Sequence, residues 1–98
     1  MEASESCPQN ADVNKTIYSR QSECLQTTLA ALRTGAGLTQ RQLAEKLGRE
    51  HSLVGRLELG ERRLDMVEFY LFCRACGVEP EKAARTLMQK FKEIEAKL

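Results

Sequence analysis

The sequence predicts an all-α fold of five helices, and three features support this prediction. Apolar residues recur at intervals of three and four from about residue 22 onward, which is the periodicity of amphipathic helices. Glycines follow the apolar stretches at positions where helices commonly end. No run alternates apolar and polar residues as a half-buried strand would. The 98 residues suffice for one small domain, and the 42% hydrophobic and 30% charged shares are typical of soluble globular chains.

The N-terminal segment 1–20 is predicted to be a flexible tail, because polar residues interrupt any apolar period. Its acidic start lacks the basic and apolar regions of a signal peptide. No apolar run approaches the roughly 20 residues of a membrane span. We therefore expect a cytoplasmic protein that does not associate with membranes.

The first two helices are marked by an apolar stripe and by a cap. The first carries three leucines on one face: Leu25, Leu29 and Leu32. The second begins after Thr39, an N-cap residue, and Gln42 lies three residues further on, the spacing of a capping box. Gly48 provides the end of this helix.

The third helix is predicted over about 51–59, after a turn of only a few residues, with Val54 and Leu57 facing inward. Gly60 ends it. Two short helices joined by a glycine-containing turn form a helix-turn-helix, whose second helix can enter the major groove of DNA. The helix-turn-helix domain is assigned to residues 21–79.

The fourth and fifth helices are predicted over about 65–76 and 80–98, and Pro80 fits the first position of the last helix. Their stripes consist of Met66, Phe69, Tyr70, Cys73 and Cys76 on the fourth helix and of Ala84, Leu87, Phe91, Ile94 and Leu98 on the extended C-terminal helix. The second stripe has the 3-4 spacing of a coiled-coil seam. Leu87, Phe91, Ile94 and Leu98 are therefore predicted to form a homodimer interface, with packing on the chain's own core as the alternative for Leu87 and Phe91.

Charge and side-chain chemistry favour a DNA-binding face on the helix-turn-helix. The net charge is only +1, but residues 33–63 hold seven Lys/Arg against four Asp/Glu. A polar strip on the third helix lies away from its inward residues, and Gln40 stands at the start of the second helix, where backbone N–H groups are free. Side chains of these types pair well with base edges. The strip consists of His51, Ser52, Gly55 and Arg56.

Residues 25–78 resemble the lambda-repressor-like helix-turn-helix family, the Cro/cI-type or Xre proteins. The resemblance covers just over half of the chain and implies a five-helix DNA-binding domain that acts as a dimer on a two-fold-related operator. The matching residues are Gly37-Leu38-Thr39-Gln40, Leu43-Ala44-Glu45-Lys46-Leu47-Gly48, Val54, Arg56, Leu57, Glu58, Gly60-Glu61-Arg62-Arg63 and Gly77-Val78.

The family's DNA contacts map onto named positions here. The resemblance implies an Arg33–Glu58 pair that holds the first helix against the third. Base-reading positions are Gln40, His51, Ser52, Gly55 and Arg56. Phosphate-binding positions are Thr39, Arg41, Arg49, Arg62 and Arg63.

Three departures from the family pattern support a competing hypothesis. Glu50 stands where Ser or Thr usually caps the third helix, Gly55 interrupts that helix, and Leu59 replaces a polar residue that often contacts phosphate. The alternative is a protein-interaction module with weak DNA binding, whose partner is a toxin or another regulator.

No motif for catalysis, a cofactor or a small-molecule substrate is present, so we expect neither an enzyme nor a metalloprotein. Cys73 and Cys76 form a CxxC, but a zinc site commonly needs a second such pair, and His51 is the one histidine. Both cysteines fall on the apolar stripe of the fourth helix. They are predicted to be small buried side chains of the core.

Overall fold

The computed structural model describes residues 11–97, where five α-helices are joined by short turns and no strand occurs. The all-α prediction is confirmed. Over these residues, no helix has the combination of length and apolar character that crossing a membrane requires. The helices are α1 (Ala11–Gly35), α2 (Gln40–Leu47), α3 (Leu53–Leu59), α4 (Met66–Ala75) and α5 (Pro80–Ala96).

Helix α1 begins well before the predicted start. The prediction of a tail over 1–20 is wrong from residue 11 onward, while residues 1–10 lie outside the described part of the chain. Ile17 is buried in these extra turns, and directly after them the Gln21 Nε2 donates a hydrogen bond to the Phe91 carbonyl of α5 at 3.1 Å. A segment this polar is held in a helix by tertiary packing rather than by its intrinsic helix propensity, so the local sequence pattern does not predict the helix.

One cluster of buried side chains joins all five helices, and Phe72 is its largest fully buried member. No polar or charged residue is buried within the described residues. This shared core fixes how α2 and α3 lie relative to the remaining helices. The cluster contains Leu29, Leu43, Ala44, Leu53, Val54, Leu57, Phe69, Phe72, Cys73, Cys76 and Leu87.

Caps define the start of α2 and of α4. Thr39 Oγ1 accepts from the Gln42 N–H at 3.0 Å, and Gln42 Oε1 accepts from the Thr39 N–H at 2.9 Å, which confirms the predicted capping box. Gly48 ends α2 with φ of +68°, a conformation that favours glycine. A second capping box, which the sequence analysis did not identify, joins Asp65 and Glu68 at the start of α4.

Helix α4 presents a different face to the core than predicted. Met66 and Tyr70 were placed on its inner stripe but are 70% and 50% exposed, whereas Phe72 takes the inner position. The periodicity misleads here because α4 carries large apolar residues on both of its faces. A smaller difference concerns α3, which begins at Leu53, so that His51 lies in the turn before it.

Helix α5 begins at Pro80 as predicted, but its apolar seam is not a free surface. Leu87 is 4% exposed within the core, and Phe91 is half-buried against it. The assignment of Leu87 to a dimer interface is therefore wrong, and the alternative of packing on the chain's own core holds for both residues. Ile94 is half-buried, and Leu98 lies outside the described residues.

Candidate nucleic-acid interface

The helix-turn-helix consists of α2, a five-residue turn over 48–52, and α3. Leu43 and Ala44 of α2 and Val54 of α3 are completely buried, so the two helices meet through the core. The turn is closed by the Arg49 N–H, which donates to the Ala44 carbonyl at 3.0 Å. This packing leaves the polar residues at the start of each helix outside.

The predicted base-reading residues divide into two groups. His51, Ser52 and Arg56 are exposed at the turn and along α3, and Gln40 is exposed at the start of α2. Gly55 is half-buried, because the Gln40 side chain lies against it. The polar strip therefore continues from α3 onto the first turn of α2.

A network centred on Glu58 fixes the position of Gln40. Glu58 accepts from the Arg33 Nε at 2.7 Å and Nη2 at 3.2 Å, and also from the Gln40 Nε2 at 2.9 Å. Arg33 Nη1 donates to the Leu38 carbonyl at 3.0 Å. The Arg33 and Glu58 side chains are only 16% and 9% exposed. Hydrogen bonding to Glu58 raises the pKa of Arg33, and the bond between them links α1 to α3.

Gly55 has a steric role that the sequence did not reveal. A Cβ at this position would lie 3.1 Å from the Gln40 Oε1, closer than ordinary contact. The absence of a side chain lets the Gln40 amide cross α3 and reach Glu58. Gly55 thus makes room for a neighbouring polar group, and it has no side chain of its own to contact a base.

Glu68 of α4 links two arginines that were predicted to bind phosphate. Its carboxylate pairs with Arg62 at 2.8 Å and with Arg49 at 3.3 Å. The hydrogen bonds from Arg62, supported by the Asp65 backbone and Arg49 and opposed by burial, lower the pKa of Glu68 to about 2. The sequence analysis missed this residue, although its place three residues after Asp65 marks it as the second member of a capping box.

A second carboxylate, that of Glu45, lies between the exposed side chains of Arg41 and His51. Glu45 Oε2 is 3.7 Å from the Arg41 Nε and 3.5 Å from the His51 Nε2. All three side chains are more than half exposed, and pairs of this kind contribute little to stability. Arg41 can therefore exchange Glu45 for another anion at low cost.

The loop between α3 and α4 makes contact with the unexpected part of α1. The Arg63 guanidinium lies over the Tyr18 ring, 5.7 Å from its centre, within the range of a cation–π contact. Tyr18 belongs to the segment predicted as a tail. Ile17 continues the leucine stripe of α1 at helical spacing, eight residues before Leu25, and this was the available signal.

Comparison with known proteins assigns the family. A family model described as a helix-turn-helix domain matches residues 25–86, more than half of the chain. A solved structure of an XRE-family like protein from Pseudomonas syringae pv. tomato str. DC3000 is 39% identical and aligns with a TM-score of 0.76. The alignment covers 82% of this chain and 98% of that one. The chain belongs to the XRE helix-turn-helix family. No curated protein matches it.

The XRE family consists of DNA-binding regulators, and its fold is typical of proteins without enzymatic activity. In this XRE chain, two of the family-pattern departures are exposed at the candidate interface. Leu59, at the end of α3, is 70% exposed, and the Glu50 carboxylate is 3.8 Å from the Arg49 Nε. Both therefore contribute to the surface that surrounds the polar strip.

The cysteines of this XRE chain lie away from that surface. Cys73 and Cys76 are buried in the core on the inner face of α4 and its C-cap. Burial, with a smaller effect of Cys76, raises the pKa of Cys73 to about 11, so its thiol stays protonated at neutral pH. Among the described residues, no three His, Cys, Asp or Glu side chains are grouped to hold a metal ion. Packing accounts for both thiols.

Proposed function

We propose that this XRE protein is a sequence-specific transcriptional regulator that binds an inverted-repeat operator as a homodimer. The observation that carries the proposal is the exposed polar strip of α3 beside Gln40, whose side chain is held in place by Glu58. A side chain already held by a hydrogen bond loses less freedom on binding DNA, which favours sequence recognition.

The base contacts would come from the exposed members of the strip. Arg56 suits guanine, and His51 and Ser52 suit several bases. Gln40 retains one amide hydrogen and an oxygen for a base or phosphate after donating to Glu58. The residues predicted to bind phosphate would contact the backbone of the DNA.

The phosphate contacts are predicted to come from both ends of α2 and from the loop before α4. Residues of this group differ in how strongly they are already engaged: Arg41 is 71% exposed, whereas Arg49 and Arg62 share Glu68. Arg41 is thus more available to a phosphate than Arg49 or Arg62. The full set consists of Thr39, Arg41, Arg49, Arg62 and Arg63.

Two copies related by a two-fold axis would place their α3 helices in successive major grooves, about 34 Å apart. The modest charge surplus of residues 33–63 makes a second copy important, because few phosphate contacts are available to each chain. Transcription would be controlled in the cytoplasm by binding alone, through blocking or recruiting polymerase.

The test is a selection of bound sequences from random DNA, followed by titration of the selected site with Arg56→Ala. We expect a loss of about 1–3 kcal/mol of binding free energy and relaxed preference at one base pair of each half-site. Arg85→Ala, an exposed arginine on α5, is the matched control and should bind as the unchanged protein does. Unchanged affinity and sequence preference for Arg56→Ala would contradict the proposal.

One observation favours a second candidate function, a protein-interaction module. Leu59 exposes 70% of its surface at the end of α3, where a phosphate-binding residue would be polar. An apolar side chain at this place suits a protein partner such as a toxin or another regulator. This function predicts that the selection returns no enriched DNA sequence.

A further inference from the structure

The outer face of α4 carries the largest group of exposed apolar side chains in the described chain. Met66, Val67, Tyr70 and Leu71 are 70%, 68%, 50% and 49% exposed. We refer to these four residues as the α4 strip. They lie at spacings of one, three and four along the helix, so they form one continuous face.

The opposite face of α4 is already used by the core. Phe69 and Cys73 are buried there, and Phe72 has no exposed surface. A helix with apolar residues on both sides is normally covered on both sides. Contiguous exposed apolar patches with charged borders are typical of protein interaction sites. The α4 strip therefore requires a partner.

We propose that the partner is a second copy of this chain, with the two α4 helices packed antiparallel across a two-fold axis. The charges at the two ends of α4 support this arrangement. Exposed Asp65 lies at the start of α4 and exposed Arg74 lies in its last turn. In an antiparallel pair, each Arg74 faces the end that carries the other copy's Asp65, whereas a parallel pair would bring like charges together.

The helix dipoles favour the same arrangement. Antiparallel pairing puts the positive N-terminal end of each α4 beside the negative C-terminal end of the other. The apolar residues also match, because a two-fold axis near the middle of the strip brings Val67 of one copy to Tyr70 of the other. Antiparallel pairing of the α4 strip thus agrees with the apolar pattern and with the helix dipoles.

The interface differs from the α5 seam that the sequence predicted. Leu87 and Phe91 pack on the chain's own core, and Ile94 is half-buried. The α4 strip, in contrast, is joined to α3 by a loop of only six residues, 60–65. Pairing through α4 therefore keeps both α3 helices close to the two-fold axis. The inference rests on the proposed function in that a two-fold-related operator requires two copies.

The association is tested without DNA by sedimentation equilibrium in the micromolar range. The unchanged protein should sediment at twice the mass of its 11.1-kDa chain. Val67→Asp and Tyr70→Asp should each raise the dissociation constant at least about tenfold, because a carboxylate would be buried against the other copy. Arg74→Glu should weaken the dimer as well, and its effect should shrink at high salt.

Met88→Asp is the matched control, since Met88 is 46% exposed on α5 and lies outside the strip. It should remain as dimeric as the unchanged protein. Far-UV circular dichroism and thermal unfolding confirm that each variant is folded. A monomeric unchanged protein, or folded Val67→Asp and Tyr70→Asp that dimerise normally, would overturn the inference. Equal dissociation by Met88→Asp would overturn it too.

Titration of the selected DNA site separates this inference from the proposed function. Arg56→Ala should remain a dimer and lose DNA affinity, because Arg56 belongs to the strip on α3. Val67→Asp should lose affinity only through loss of the dimer, so that high protein concentration restores binding. If Val67→Asp is monomeric while Arg56→Ala binds DNA normally, the inference stands and the proposed function fails.

Discussion

The Glu58 carboxylate connects the three helices that build the candidate interface. It holds Arg33 of α1 and Gln40 of α2 from its own position on α3. Arg33 and Glu58 are nearly buried, so removal of one charge leaves the other without compensation. Loss of either side chain is therefore expected to lower the free energy of unfolding, because the remaining charge would be nearly buried without a partner.

Glu58→Ala should destabilise the protein by about 3 kcal/mol, because the Arg33 guanidinium would lose its carboxylate and Gln40 its acceptor. Urea unfolding followed by circular dichroism measures the free energy of unfolding. Glu61→Ala, three residues further on and exposed, is the control and should change it by no more than about 0.5 kcal/mol. Equal effects of both substitutions would show that the Arg33–Glu58 pair has no special role.

The sequence was informative at the residue scale wherever an interaction is local. The Thr39–Gln42 capping box depends on a fixed spacing of three residues and was predicted correctly. The role of Gly55 depends instead on the Gln40 side chain, which reaches it from another helix. Such a contact has no signature along the chain, so Gly55 was interpreted as a weak point of α3 and not as a space for Gln40.

At the scale of elements, Glu68 joins the turn after α2, the loop before α4 and the start of α4 itself. It pairs with Arg49 and Arg62, and the Asp65 N–H donates to it at 3.0 Å. These contacts keep the pKa of Glu68 near 2, below its ordinary 4.5. The stabilisation is therefore complete above about pH 4.5 and is lost as the pH falls toward 2.

Glu68→Gln should reduce the free energy of unfolding at neutral pH by about 1–2 kcal/mol. The value is kept this small because solvent around the partly exposed Arg62 weakens its ion pair with Glu68. The difference from the unchanged protein should shrink on acidification from about pH 4.5 and vanish near pH 2. Urea unfolding over this range measures it. Glu23→Gln, on an exposed position of α1, is the control. A difference that stays constant with pH would contradict the assigned role.

Elements were predicted best where only one face is apolar. Helices α2 and α5 were placed closely, including the Pro80 start. The position of α4 in the sequence was predicted, but its buried face was not. Met66 and Tyr70 of its outer face have the helical spacing that is typical of core residues. The first turns of α1 were missed because polar residues surround Ile17, whose burial depends on tertiary packing that has no signature along the chain.

At the scale of the whole molecule, the net charge of +1 averages over regions with different roles. The surplus of positive charge lies at residues 33–63, and part of it is compensated by Glu68 of α4, which pairs with Arg49 and Arg62. This small surplus does not favour binding through bulk charge, so the proposed function requires a few placed side chains and two copies acting together. The account therefore predicts that DNA is recognised by its sequence.

The most direct test of this central claim compares the affinity of the unchanged protein for its selected DNA site and for a scrambled site at low and moderate salt. We expect the selected site to bind at least about a thousandfold tighter, and both affinities to fall steeply as salt increases. Equal affinities for the two sites at both salt concentrations would contradict the account and favour a protein-interaction module.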